Sequence, residues 1–349
     1  MSSHSSNTHT PSSYQSFSRS SSPSPTSTKF SSESLPPIDT DDKTKDRVNF
    51  DLSAALFPVV PDPGIPSNVD ELDLNTPDRW VKRDSRMVRL TGKHPFNAEA
   101  RLDTLFAAGF LTPSSLFYVR NHGAVPKIPT FSPSPSSVTE NTSIPPPIQL
   151  HAHSTWQVRV HGLVEYERSF TVDDLKRLFK VVTLPITLVC AGNRRKEQNV
   201  AAKTLGFNWG AAGLSTALFT GVYLADVLKY VHPLHHLLTA HIGNKGNDVA
   251  GLGHVIFEGA DDDLPNGPYG TSQTLKWAMN KDNGMLLAWK MNGRDLEPDH
   301  GFPIRVVIPG QIGGRSVKWL RRIEISAHES QHHVSVVSYM ARVALIQPW

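Results

Sequence analysis

The stretch LPITLVCAGNRRKEQN, residues 184–199, holds the only cysteine of the chain. Cys190 closes an apolar, β-branched run and is followed by a small turn and then Arg194, Arg195 and Lys196. The thiolate, not the thiol, attacks electrophiles and binds soft metals, and nearby positive charge favours it. The same residue at a strand end is also consistent with a small buried hydrophobe. A nucleophilic role requires a positioned base, usually histidine, and the 16 histidines nominate too many partners to choose among. Zinc is poorly served. Structural zinc sites prefer several cysteines, whereas HPLHH and HIG within 232–243 supply only histidines.

Three further groups could join this thiol. YVRNHG places Arg120 and His122 on a loop. DHGFPIRVVIPGQIGGRSVKW, residues 299–319, interleaves His300, Arg305, Arg315 and Lys318 with four glycines. Glycines let a backbone approach a ligand, arginine offers a planar fork and lysine a point charge. The spacing is not that of a nucleotide-hydrolase phosphate loop, and no GxGxxG follows a strand. Together these stretches predict a pocket for an anionic organic cofactor. Asp261 follows the apolar HVIFEG run and could accept from a heterocycle's N–H groups, while Asp262 and Asp263 read as a solvated turn.

The elements that must position these residues are short. VVTLPITLVC, TWQVRVHGLV, GHVIFEGAD, PIRVVIPG and VKWLRRIEISA predict strands by alternation or β-branched content. SFTVDDLKRLF predicts a helix capped by Thr171, with Asp173 and Asp174 in its first turn. AEARLDTLFAAGFLTP (98–113) and GVYLADVLKYV (221–231) predict two more helices, and SLFYVRNHG (115–123) a strand running into a loop. With no strict alternation of strand and helix, the class is mixed α+β. Residues 128–154 read as a proline-rich surface insertion, 51–66 as a proline-punctuated linker or docking segment, and the serine-rich start as disorder.

The 349 residues carry 35 basic and 32 acidic side chains, a balance that gives no reason to expect nucleic acid as a partner. No apolar run approaches the ~20 residues that span a membrane. One cysteine cannot form an internal disulfide, which suits a reducing compartment. The start lacks a secretory apolar stretch, and Arg19 and Lys29 are too few for a transit peptide.

RLTGKHPFN, LVCAGNRRKEQN, GFNWG, YGTS and PDHGFPIRVVIPGQIGGRSVKWL, in that order, resemble the molybdenum-cofactor domain of eukaryotic assimilatory nitrate reductases of fungal or plant type, within the sulfite oxidase superfamily. The resemblance runs from about Thr76 to His333. It implies a sulfite-oxidase-type molybdopterin-binding domain over 76–333, after a disordered segment 1–75. It implies that Cys190 binds molybdenum through sulfur, as a soft thiolate can. The cofactor contacts it carries over are Tyr118, Val119, Arg120, Asn121 and His122 in YVRNH, Asp261 in FEGAD, His300 and Arg305 in DHGFPIR, and Ser316, Val317 and Lys318 in GGRSVKW. On the nitrate side it carries over Arg195, Trp209 and Asn292.

The implied activity is reduction of nitrate to nitrite by oxygen-atom transfer, with Mo-molybdopterin as cofactor, in the cytoplasm. A sulfite oxidase, or a catalytically incomplete cofactor-binding module, are the alternatives; a metal-free cysteine hydrolase is a further one. VSVVSYMARVALIQPW (334–349) departs from the family's continuation. The expectation is therefore a truncated chain lacking the domain through which the family forms homodimers, and lacking the haem and FAD domains of full-length members.

Overall fold

The computed structural model describes residues 69–127, 152–204, 207–234 and 253–332. All lie in one compact unit, Phe50–Trp349. The low-complexity start, the 51–66 segment, most of the 128–154 insertion, HIG and the 334–349 tail fall outside the described residues.

The first sheet is small. Strands β1 (Met87–Arg89), β2 (Asn97–Ala100) and β3 (Val119–Arg120) pair antiparallel with β2 central, and helix α1 (Leu102–Ala107) follows β2. The helix expected over 98–113 is thus shorter, and its first residues are strand. Asn97–Ala100 has a pairing partner on each side, and its four residues are all buried; that pairing outweighs the helical preference of its two alanines. Val119–Arg120 is likewise shorter than the strand expected over 115–123, because Ser114–Leu116 turns as a 3-10 helix. Residues 69–75 are structured: Glu71–Asp73 forms a 3-10 turn, and buried Asp73 accepts from Arg83 at 2.7 Å. The folded region therefore begins before Thr76, because Arg83 and Arg89 draw Asp73 inward.

The remaining elements are, in chain order, β4 (Val158–Gly162), β5 (Arg168–Phe170), α2 (Val172–Leu178), β6 (Val181–Val189), α3 (Arg195–Ala201), β7 (Leu214–Tyr223), α4 (Leu224–Val231), β8 (His254–Gly259), β9 (Gly270–Thr274), α5 (Leu275–Met279), β10 (Leu286–Met291), β11 (Arg294–Asp295), β12 (Arg305–Val307) and β13 (Leu320–Ser326). One five-stranded sheet runs β5-β4-β13-β8-β9, with β4 and β13 parallel. The other runs β11-β10-β7-β6, with β12 also on β10. The helix expected over 221–231 starts at Leu224, because Gly221–Tyr223 completes β7 against both β6 and β10.

Alternation explains the core. Val158 and Val160 of β4 and Ile323 and Ile325 of β13 point inward, where they meet Leu175 of α2 and Val227, Leu228 and Val231 of α4. Thr171 caps α2 in a reciprocal box, its hydroxyl accepting from the Asp174 amide at 3.0 Å while the Asp174 carboxylate accepts from the Thr171 amide. Among the described residues, no helix is long and apolar enough to cross a membrane.

Candidate active site

Strand β6 delivers Cys190 to the edge of its sheet. At its last residue, Val189, the strand makes a single parallel bridge to Ile312, which draws the glycine-rich 312–318 loop alongside the thiol. The Cys190 amide donates to the Gly213 carbonyl at 2.8 Å, so the residues before β7 close the other side. The ends of β3, β8, β12 and β13 bring Tyr118, Arg120, His122, Asp261, Arg305 and Lys318 to the same place. With Cys190, His300, Ser316 and Val317 they line one cleft. Gly313 has no freedom here, since a Cβ on it would overlap the Tyr118 hydroxyl.

Not every expected residue faces this cleft. Val119 packs behind it with Phe96 and Ala98. Asn121 is fully buried beneath it; its amide donates to Asp299 at 2.9 Å and its oxygen accepts from Lys318 Nζ. The Arg195 guanidinium and the Trp209 ring both lie against Gly192 on the flank, with Arg195 Nη1 donating to the Phe207 carbonyl at 3.3 Å. Trp209 is buried and meets Tyr118 edge to face. Asn292 sits at the β10–β11 turn with φ +50°, its oxygen accepting from the Leu218 amide and its nitrogen donating to the Thr112 carbonyl. Those two bonds make it a clamp on the backbone.

The electrostatics differ from the simple sequence argument in one respect. Arg194 turns outward to pair with Glu197, and Lys196 is exposed. The cations that reach the thiol are Arg120 and Arg195, and burial outweighs them, so the Cys190 pKa is raised. A thiol that ligates a metal must lose that proton, and a metal held at Cys190 would have to supply what the surrounding charge does not.

The rest of the lining tells the same story of burial. Lys318 is pushed down to about 7 by burial, with Arg305 and Arg120 adding to the effect. Arg305 falls to about 10 by burial, and Arg120 is lowered for the same reason. His122, stacked on Tyr269 at 4.4 Å, is driven to about 3 and His300 to about 4, both by burial first, so both rings are neutral at pH 7. Neutral His300 donates from Nε2 to the Ser114 carbonyl at 2.7 Å. Asp261 is raised to about 6 by burial, although it accepts from the Tyr269 amide at 3.0 Å.

The residues present fit a bound anion that carries a metal. Three cations crowd a shared cleft at an electrostatic cost that an anion would relieve, and buried Arg305 Nε has no hydrogen-bond partner. Among the described residues, no group of three His, Cys, Asp or Glu is placed to hold a metal ion. A metal at Cys190 would therefore have one protein sulfur from these residues and take its other ligands from an organic group.

Sequence reasoning passed over Phe117, Tyr269, Asp299 and Trp319, which also line the cleft. Tyr269 and Asp299 stood within quoted motifs, YGTS and PDHGFPIR, but nothing in their types marked them out. Arg315, one of the expected cations, donates instead to Thr271 Oγ1 and the Ser272 carbonyl.

Fold and cleft together define a mixed α+β protein whose converging cations and cysteine sulfur fit an anionic, metal-bearing cofactor. Residues 143–334 match the oxidoreductase molybdopterin binding domain, and the chain belongs to that family. It is 58% identical over 265 residues to a nitrate reductase [NADPH] of Mycosarcoma maydis, an alignment covering 75% of this chain and 24% of that protein. It is 45% identical over 298 residues to a nitrate reductase [NADPH] of Emericella nidulans, covering 85% and 30%. It is 46% identical over 271 residues to a nitrate reductase [NAD(P)H] of Betula pendula, covering 77% and 26%. The chain thus spans less than a third of the length of these relatives. Among solved structures the fold is similar to the sulfane dehydrogenase SoxCD of Paracoccus pantotrophus, with a TM-score of 0.51 at 22% identity, over 77% of this chain and 57% of that one.

Proposed function

We propose that this domain reduces nitrate to nitrite with a molybdenum–molybdopterin cofactor. The observation that carries the reading is the convergence of the Cys190 sulfur with Arg120, Arg305 and Lys318 in one cleft, in a chain whose similar relatives are named nitrate reductases. When bound, the cofactor accepts one oxygen of nitrate and supplies two electrons, the overall balance being nitrate, two electrons and two protons giving nitrite and water.

The chain's residues do the rest. Cys190 gives up its proton and ligates through sulfur. Lys318, Arg305 and Arg120 bind the anionic parts of the pterin, and burial strengthens each contact by excluding water. Asp261, whose pKa is near 6, accepts from heterocycle N–H groups, and neutral His122 and His300 add directed hydrogen bonds. Val119, Asn121, Ser316 and Val317 shape the seat. Arg195 draws in the nitrate anion and offsets charge on the departing nitrite. Trp209 backs the pocket through its edge-to-face contact with Tyr118, and Asn292 steadies the backbone behind it.

In a full-length protein we propose haem and FAD as the route by which electrons arrive, a homodimer as the assembly and the cytoplasm as the compartment. On one molybdenum-loaded sample, nitrite formation with reduced viologen should far exceed sulfite oxidation; the reverse ratio would assign a sulfite oxidase. Arg195→Ala should raise the KM for nitrate about tenfold or more, as losing a charge-assisted contact does, with molybdenum content unchanged. A loss of molybdenum would place Arg195 in cofactor binding.

A further inference from the structure

The HPFNAEA segment lies outside the part of the chain that matches the family model, residues 143–334, and the mechanism above uses none of its side chains. It forms the central strand of the first sheet, yet puts two polar side chains in the interior: Asn97 is fully buried and Glu99 is 8% exposed. Alternation along a strand sends both to one face. The opposite face is occupied by Ala98, packed with Phe96 and Val119.

Both buried side chains grip parts of the site. Asn97 stands directly opposite Arg120 in the β2–β3 register, and its oxygen accepts from Arg120 Nη1 at 2.9 Å. Glu99 reaches the residues between α3 and β7, where Oε1 accepts from the Gly210 amide at 2.7 Å and the carboxylate faces the Ala212 and Gly213 amides. Gly210 lets the carboxylate come this close, since a Cβ there would displace Glu99 Oε1. This turn carries Trp209. Its Gly213 carbonyl accepts from Cys190 N, and its Gly210 carbonyl accepts from Arg194 N. The two grips are also linked, because the Arg120 guanidinium lies over the Phe207 ring at 4.9 Å. Glu99 Oε2 is buried without a hydrogen-bond partner; keeping a carboxylate in such a place is costly unless its position serves something.

We infer that Asn97 and Glu99 are positioning residues of opposite halves of the site: Asn97 aims Arg120 at the cofactor, and Glu99 seats the 207–213 turn that holds Trp209 against the Cys190 loop. The inference rests on the proposed nitrate reduction for its kinetic arm only. Glu99→Ala leaves the Gly210 amide without its acceptor, so the nitrate KM rises about tenfold while bound molybdenum stays at the wild-type level. Glu99→Gln keeps an acceptor oxygen and restores the KM to within about twofold. Asn97→Ala does the converse: bound pterin, read as fluorescent oxidised pterin released from purified protein, falls about tenfold, and the loaded fraction keeps its nitrate KM. Asn97→Asp retains the acceptor and recovers the pterin content.

Hydrogen exchange on the metal-free chain tests the turn without any turnover. Glu99→Ala should speed exchange in residues 190–196 and 207–213 and leave β4, β8 and β13 protected. Unchanged exchange in those two segments, or a uniform loss of protection that Glu99→Gln does not reverse, overturns the role of Glu99 whatever the substrate proves to be. Wild-type pterin content in Asn97→Ala overturns that of Asn97. If exchange and pterin content shift as expected but no variant, nor the wild type, forms nitrite, the inference stands and the nitrate reading fails.

Discussion

Two interiors of this molecule are equally dry and chemically opposite. Between helices α2 and α4 and the β4–β13–β8 strands, Val160, Leu175, Val227, Leu228 and Ile323 are buried to within a percent, and all are aliphatic. On the far side of the cofactor cleft, Arg83 is 8% exposed and ion-paired to Asp73, Asp78 and Asp299 at 2.7 to 2.8 Å. Asp299 in turn accepts from Asn121, and the Asp299 carbonyl accepts from Lys318 at 2.8 Å. The aliphatic side is held by non-directional burial, which tolerates small shifts. The charged side closes only if every partner is in place, because each lost partner strands a charge in low dielectric. The first interior gives the domain its stability, and the second transmits position to the cleft.

Paired substitutions sharpen that contrast, and the largest effect belongs to the charged side. Arg83→Met takes away the cation that three buried carboxylates share, leaving Asp73 only Arg89 and Asp78 and Asp299 without an arginine, and unfolding by denaturant should show a loss of about 3–5 kcal/mol. Leu228→Ala should cost about 2–5 kcal/mol in the same measurement. The two should differ in what survives: Leu228→Ala keeps its pterin content at temperatures where it remains folded, and Arg83→Met loses pterin as Asp299 shifts. Equal retention would erase the distinction. Lys318→Met comes next. It should weaken cofactor retention about 10- to 100-fold, the range for one charge-assisted contact.

The smallest effect is on pH. His122 and His300 have folded-state values near 3 and 4 against an ordinary 6.5. Between pH 6.5 and 4 the unfolded chain therefore takes up protons that the folded chain refuses, and stability falls on acidification. Asp261, raised from an ordinary 3.8 to about 6, opposes this between those values, but one carboxyl against two imidazoles leaves the sign unchanged. At the alkaline end Lys318, lowered from 10.5 to about 7, makes the unfolded chain the better proton binder across that window, so it contributes a rise in stability with pH. Melting scans of the metal-free chain from pH 4 to 9 should rise through both windows; a flat or falling profile would mean that these groups are solvated.

What the sequence made legible follows the same division. Alternation in WQVRVHG and RRIEIS exposed β4 and β13, and the Thr171–Asp174 pair exposed α2, because apolar period and capping chemistry are local properties. Strand β7, the longest in the described residues, was not read from LSTALFTGVY, since a strand buried on both faces carries no alternation to betray it. Ala98–Ala100 was read as the start of a helix for want of any local sign that its neighbours were strands. In the cleft, Cys190, Arg120, His122, Asp261, His300, Arg305 and Lys318 stood out by type and setting, and family motifs added Tyr118, Ser316 and Val317. Asp299, Glu99 and Arg83 did not stand out, because a buried carboxylate or guanidinium looks like any surface charge until its partner, more than 100 residues away in the cases of Glu99–Gly210 and Arg83–Asp299, is in place.

The central claim is a bond between the Cys190 sulfur and the metal of a cofactor held by the surrounding cations. X-ray absorption at the molybdenum edge, on the loaded wild type and on Cys190→Ser, tests it most directly. The variant should show one sulfur fewer around the metal, near-normal pterin content and nitrite formation reduced more than about a hundredfold, beyond the loss seen when only supporting residues are changed. An unchanged sulfur count with undiminished nitrite formation would contradict it.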